Sequence, residues 1–149
     1  MNKKKSLTIT ILVVVIIAVI SYFILNAPKE TTYESVIKEN LDGATLDSMV
    51  IIDYANSEIS NHFLTDEKEL IQQIIDDPAG MNIKETDKNP RYEYSVDIFT
   101  DKGQFNIAVG SDNILYIYGS HTPSQAYTIE GSNLLLPTIK DILASNSSN

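Results

Sequence analysis

Two histidines are the first residues to test for chemistry, because an imidazole can act as a general base or bind a metal ion near neutral pH. His62 and His121 are the only histidines in the 149-residue chain, and neither has a second ligand-type residue at a short motif spacing. A shared metal site would need the fold to bring both histidines together beside a carboxylate. We therefore interpret them as surface or loop residues.

Nucleophilic side chains give no stronger signal. A serine nucleophile on a strained turn follows the pattern G-x-S-x-G, and this pattern is absent although Gly-Ser pairs occur at Gly110, Gly119 and Gly131. The chain has no cysteine. This excludes a cysteine nucleophile, disulfides, thiolate metal sites and a lipid-modified N-terminal cysteine. We interpret the three glycines as turn residues.

Acidic side chains are the remaining candidates for catalysis or ion binding. Glu93 and Asp97 lie on one predicted strand about 13 Å apart, which is too far for the carboxylate pair of a glycosidase. Asp101 and Asp112 lie in turns at opposite ends of one predicted strand, roughly 20 Å apart, so they cannot share a calcium ion. We assign no catalytic, cofactor-binding or metal-binding residue and no cofactor. The sequence leaves open whether a weak calcium site exists.

Four tyrosines recur with even spacing within the predicted strands between residues 91 and 118, namely Tyr92, Tyr94, Tyr116 and Tyr118. This spacing places all four on one face of a sheet. Such a cluster either packs in a core or forms a platform on which a ligand stacks. The chain has no tryptophan, which weakens a sugar-binding platform, and we favour core packing.

The charge distribution separates the N-terminus from the rest of the chain. Lys3, Lys4 and Lys5 precede an apolar run, whereas the sequence after that run carries eight basic and twenty acidic residues, a formal charge of −12. Phosphate backbones and anionic membrane surfaces repel such a domain. Nucleic acid is therefore not expected as a partner.

The apolar run at 7–25 contains no charged residue. At about 1.5 Å per residue, a helix of this length approaches the thickness of the hydrocarbon core of a bilayer. A cleaved signal peptide is the alternative, although its apolar stretch is usually about 7–15 residues long. We expect a single-pass helix in the cell membrane, with the N-terminus cytoplasmic because positive residues stay on that side.

The periodicity of apolar residues predicts the elements that follow. Helical spacing indicates helices within 28–41, 65–77 and 132–143. Runs rich in β-branched residues or alternating in polarity indicate strands near 49–55, 58–64, 81–85 and 126–129, and a three-stranded antiparallel meander at 91–118. Helices on one face of a mostly antiparallel sheet make an α+β fold. The expected organisation is a cytoplasmic tail at 1–6, a transmembrane helix at 7–25, a juxtamembrane helix or linker at 26–45, an extracytoplasmic α+β domain at 46–145 and a disordered tail at 146–149.

Loop length sets the register of the meander, because side chains alternate with period two. A turn at 100–103 pairs Val96 with Ile107, and a turn at 110–113 pairs Ile107 with Tyr116. Both registers place one apolar set on the same face: Tyr92, Tyr94, Val96, Ile98, Phe105, Ile107, Val109, Ile114, Tyr116 and Tyr118. The opposite face carries Glu93, Ser95, Asp97, Gln104 and Asn106 and is expected to contact water, although Leu115 and Ile117 also fall there.

Four features follow one another along the chain: a lysine-rich anchor, Phe63-Leu64-Thr65-Asp66 opening a helix, the meander, and Tyr127-Thr128-Ile129 leading into 134–143. This order resembles the small membrane-anchored extracytoplasmic proteins of Gram-positive bacteria. The resemblance implies a lipid-anchored or single-pass protein, and most such proteins lack an assigned activity. The missing cysteine departs from the lipid-anchored members, and no functional residue is carried over.

Three functions are compatible with this sequence. The first is a non-catalytic binding or regulatory module that acts on a membrane or envelope protein, because tethering raises its effective concentration near such a partner. The second is an immunity or exclusion protein that neutralises a basic toxin or phage factor. The third is a cell-envelope hydrolase with a composite site. The sequence leaves open the partner's identity, the cleavage of the anchor, the oligomeric state and the strand order outside the meander.

Overall fold

A computed structural model describes residues 3–25, 27–54, 62–89, 91–120 and 122–146. Over these residues the fold is α+β, as predicted, with an eight-stranded antiparallel sheet and four helices. The helices are α1 (Lys3–Leu25), α2 (Tyr33–Leu41), α3 (Lys68–Asp76) and α4 (Leu135–Asn146). The strands are β1 (Glu30–Thr32), β2 (Leu46–Asp53), β3 (His62–Thr65), β4 (Asn82–Thr86), β5 (Tyr94–Thr100), β6 (Gly103–Val109), β7 (Ile114–Gly119) and β8 (Gln125–Glu130).

The N-terminal helix α1 contains the apolar run 7–25. Its large apolar side chains from Ile11 to Leu25 are exposed, with exposed fractions between 47% at Val13 and 82% at Leu25. Among the described residues, no helix has both the length and the apolar character required to cross a bilayer. The prediction of a membrane-spanning helix at 7–25 is therefore not supported.

The segment after α1 belongs to the folded domain. Strand β1 pairs antiparallel with β4, and Thr32 then caps α2 by accepting a hydrogen bond from the Ser35 amide at 3.2 Å. Tyr33, which is fully buried, donates from its hydroxyl to the Ile74 carbonyl of α3 at 2.9 Å. The helix ends at Asp42, which adopts the left-handed conformation with φ of 45°. Residues 30–42 thus contribute a strand and a helix to the sheet and its core.

The sheet has the order β1-β4-β8-β7-β6-β5-β2-β3. Helices α2, α3 and α4 bury their apolar sides in one hydrophobic cluster with the alternate sheet residues that face them, including Met49, Ile51, Val96 and Ile107. We call this side of the sheet the inner face, and the opposite side the outer face. Because these helices pack against the inner face, the outer face is the side available for contacts.

The first hairpin of the meander has the predicted register. Ile98 pairs with Phe105 and Val96 pairs with Ile107 across the turn between β5 and β6. Ile107 is fully buried in β6, with strands on both sides of it. The strands predicted near 49–55 and 58–64 also pair with each other, with Val50 of β2 opposite Leu64 of β3. The residues that connect these two strands lie outside the described residues.

The predicted register of the second hairpin, between β6 and β7, is wrong by one residue. Ile107 pairs with Ile117 rather than Tyr116, so Leu115 and Ile117 lie in the core while Tyr116 and Tyr118 face outward. The connection at 110–114 has an odd number of residues, which reverses the alternation. Asp112 holds this loop by accepting hydrogen bonds from the amides of Arg91 at 3.0 Å and Ile114 at 3.2 Å, and Asn113 adopts a left-handed conformation with φ of 57°.

Candidate functional site

The outer face of the meander carries a group of aromatic and polar side chains that we call the tyrosine face. The group contains Tyr54, Tyr92, Tyr116 and Tyr118, together with Ser95, Asp97 and Asn106. Pairing across β5, β6 and β7 fixes their relative positions: Asp97 lies opposite Asn106, and Asn106 lies opposite Tyr118. The backbone ladder therefore determines the arrangement of this surface.

A buried polar network lies at the centre of the tyrosine face. Asn106, which is 2% exposed, donates from Nδ2 to Ser95 Oγ at 2.6 Å and to Asp97 Oδ1 at 2.8 Å. Because buried amides need hydrogen-bond partners, these contacts fix the Asn106 rotamer and hold the Asp97 carboxylate in place. The prediction that Asn106 contacts water is therefore wrong.

Large side chains surround this network. Tyr54 is 56% exposed, Tyr92 is 46% exposed and Tyr118 is 41% exposed. The rings of Tyr116 and Tyr118 are in contact, with centroids 5.9 Å apart and an interplanar angle of 49°. Exposed aromatic rings grouped in this way are typical of recognition surfaces, because a tyrosine offers a large contact area and a polar hydroxyl at low entropic cost. The prediction that all four tyrosines of the meander pack in the core holds only for Tyr94.

The pKa values of Tyr92 and Tyr118 are affected by the other side chains of the tyrosine face. Partial burial is the main factor that raises the pKa of the Tyr118 phenol, followed by the nearby Asp97 carboxylate. Smaller contributions come from Tyr54, Tyr92 and Tyr116. Burial and then Tyr116 likewise raise the pKa of Tyr92. The phenols of Tyr92 and Tyr118 therefore stay neutral at physiological pH, and the Asp97 carboxylate lies beside Tyr118.

A cleft of about 320 Å³ opens at one side of the tyrosine face. Tyr92 and Tyr116 line it on one side, and the chain after β4, which includes Asp87 and Lys88, lines it on the other. The surface thus combines a ridge of rings with an adjoining depression.

The residues singled out in the sequence lie elsewhere or have structural roles. His62 is exposed on the edge strand β3, and His121 lies outside the described residues. Asp101 Oδ1 accepts a hydrogen bond from the Thr45 amide at 2.8 Å, and Glu93 Oε1 accepts one from the Ser111 amide at 3.2 Å. Over the described ranges, no three histidine, aspartate or glutamate side chains are grouped closely enough to hold a metal ion.

Two of the glycines noted in the sequence have tight surroundings. A Cβ at Gly110 would lie 1.7 Å from the Arg91 carbonyl oxygen, and a Cβ at Gly119 would lie 2.6 Å from Asn40 Oδ1. Both glycines therefore permit a close approach between segments.

Comparisons with known proteins add little. No family model matches the chain, and no curated protein matches it. The fold is similar to a crystal structure described as "Putative Lipoprotein from Clostridium perfringens", with 13% sequence identity and a TM-score of 0.49 over 74% of this chain and 93% of that one. A likeness this distant decides neither function nor cellular location.

Proposed function

We propose that this chain is a non-catalytic binding module held at the outer side of the cell membrane, and that the tyrosine face binds a cationic segment of an envelope protein. The exposed ring cluster around a fixed Asp97 carboxylate carries the proposal. A lysine or arginine side chain gains from the face of an aromatic ring and from a nearby carboxylate. The charge of −12 after the apolar run also favours a basic partner.

The surface of α1 supports the membrane part of this proposal. Its apolar side chains from Ile11 to Leu25 are exposed around the helix, and a continuous apolar surface of this kind is normally covered by protein or lipid. Lys3, Lys4 and Lys5 precede the apolar run, so the positive-inside rule puts the domain on the outer side. In this arrangement α1 is the anchor, and the domain lies close to envelope partners.

An immunity or exclusion protein is the second candidate function. The observation that favours it is the same acidic surface, since a basic toxin or phage factor offers the same charges as a basic envelope protein. The two candidates differ in the origin of the partner, which the producing cell makes in the first case and a competitor or phage makes in the second.

The tyrosine face can be tested with octa-arginine as a cationic probe and full-length protein in lipid nanodiscs. We expect amide chemical shifts to change at Tyr92, Tyr116 and Tyr118, and the affinity to fall as salt rises from 50 to 500 mM, because salt screens the attraction between exposed charges. Replacing Tyr92 and Tyr118 together by alanine should weaken binding about 10-fold, because each exposed cation–π contact contributes about 0.5–1 kcal/mol.

The matched control is Leu134→Ala, which removes another large side chain that is 40% exposed, at the start of α4. This variant should bind octa-arginine as the wild type does. The proposal is wrong if Leu134→Ala weakens binding as much as the tyrosine double variant, or if an uncharged octapeptide binds equally well. Thermal unfolding of each variant checks that the domain remains folded.

A further inference from the structure

A second depression, on the inner side of the sheet, has different chemistry. This cleft of about 400 Å³ lies between α2 and the sheet, and we call it the α2 cleft. Glu39 and Asn40 line it from α2, while Glu85 on β4 and Tyr127 on β8 line it from the sheet. Glu85 and Tyr127 are paired across the ladder, so two adjacent strands place them side by side.

Asn40 forms one wall of the α2 cleft. It is 8% exposed, donates from Nδ2 to the Val36 carbonyl at 2.9 Å and accepts a hydrogen bond from Thr122 Oγ1. Gly119 lies against the Asn40 amide so closely that a Cβ would be 2.6 Å from its Oδ1. These contacts join α2 to the segment after β7.

Tyr127 is the feature that points to a ligand. Its side chain is 8% exposed and lines the cleft, yet its hydroxyl makes no hydrogen bond with any residue that the structure describes. Unlike the Tyr33 hydroxyl, which is buried and donates to the Ile74 carbonyl, the Tyr127 hydroxyl is open to the cleft, because among the described buried side-chain polar atoms only Asn133 Nδ2 lacks a hydrogen-bond partner. The Tyr127 hydroxyl therefore has unused capacity as a hydrogen-bonding group.

Two carboxylates lie close to this hydroxyl. After burial, Glu85 and then Glu39 are the causes that raise the pKa of the Tyr127 phenol. In the described part of the chain, neither carboxylate forms an ion pair, whereas Glu30 pairs with Lys84 at 2.8 Å. Lys29 lies at the exposed mouth of the cleft. Glu39 is exposed at the same mouth, whereas Glu85 is half-buried beside Tyr127. The cleft thus offers two carboxylates and one phenolic oxygen to a donor that carries positive charge.

We infer that the α2 cleft binds a small molecule through a primary ammonium group, with Glu85, Glu39 and Tyr127 as its acceptors. An ammonium group has three N–H donors and no acceptor, which matches this set. The volume of about 400 Å³ falls in the range of small-molecule sites. This site lies across the sheet from the tyrosine face and does not depend on it.

The test uses 1,4-diaminobutane as the probe and its neutral analogue 1,4-butanediol as the comparison, with full-length protein in nanodiscs. We expect the diamine to shift the amide resonances of Glu39, Thr122 and Tyr127 to saturation, and the diol to leave them unchanged. A blocked tripeptide, acetyl-Gly-Lys-Gly-amide, shows whether a lysine side chain of a peptide can replace the free amine; weaker binding of the tripeptide supports a small-molecule ligand.

Three variants complete the test. Glu85→Gln should weaken diamine binding at least about 10-fold and Tyr127→Phe roughly 3-fold. Glu69→Gln, which removes an exposed carboxylate on α3, should have no effect. The inference is overturned if the diamine shows no saturable shift, if Glu69→Gln weakens binding as much as Glu85→Gln does, or if the diol or calcium chloride gives the same shifts. The Tyr92 and Tyr118 double variant should bind the diamine normally, which separates this site from the tyrosine face.

Discussion

Ile107→Asp is expected to abolish the cooperative unfolding transition of the domain. Ile107 is fully buried in β6 and lies between Val96 and Ile117 on the neighbouring strands. The substitution removes a large apolar side chain and places a carboxylate in the core without a cationic partner. Such a change destabilises by about 4 kcal/mol or more, which is a large part of the ~5–15 kcal/mol that holds a domain of this size together.

Thermal unfolding followed by far-ultraviolet circular dichroism measures this effect. The control is Gln104→Glu, which adds a carboxylate to the same strand at an exposed position, and its midpoint should stay within a few degrees of the wild type. A cooperative Ile107→Asp variant with a near-normal midpoint would show that Ile107 does not lie in the core.

Asn106→Asp is expected to lower the free energy of unfolding by about 2–3 kcal/mol at pH 7. The Asn106 amide donates to Asp97 Oδ1 at 2.8 Å, and the substitution replaces this donor by a second carboxylate. The pair then repels, and the pKa of one of its carboxyls rises above its unfolded value of about 3.9. A raised pKa means that the stability deficit is present at neutral pH and shrinks as the pH falls below that pKa.

Urea unfolding at pH 7 and pH 4 measures the deficit and its pH dependence. The double variant Asp97→Asn with Asn106→Asp restores one donor and one carboxylate with their positions exchanged, so it should recover most of the lost stability. A single Asn106→Asp variant that is as stable as the wild type would mean that Asn106 lies in water and that the polar network does not form.

The first hairpin of the meander could be predicted from sequence because its evidence is local. The four residues 100–103 form an even connection, and apolar residues alternate regularly on both sides, so one register alone puts Val96 and Ile107 on the same face. The strands β4 and β8 were also predicted within one or two residues of their observed limits.

The second hairpin could not be predicted in this way, because its turn depends on a distant segment. The Asp112 side chain bonds the amide of Arg91, which is 21 residues earlier, and this contact accompanies the odd-length loop. A local signal did exist: Leu115 and Ile117 are more apolar than Tyr116 and Tyr118, and the more apolar pair takes the core. Tyr116 and Tyr118 therefore face outward and form part of the tyrosine face.

The α2 cleft could not be predicted from sequence patterns. Glu39, Glu85 and Tyr127 come from three elements that are far apart along the chain. They meet because β4 lies next to β8 and because β1 places α2 beside them. Strand order was left open by the sequence, so no spacing between these residues could have indicated a shared site.

Photocrosslinking in intact cells that produce the protein shows whether the tyrosine face is the binding surface. p-Benzoylphenylalanine is placed at position 118 on the tyrosine face and, as the control, at position 140, where Lys140 is exposed on α4. We expect a discrete crosslinked product from position 118 that contains a basic protein. Its yield should fall as salt rises, and position 140 should give no such product. A product formed from position 140 alone, or equally from both positions, would contradict this expectation.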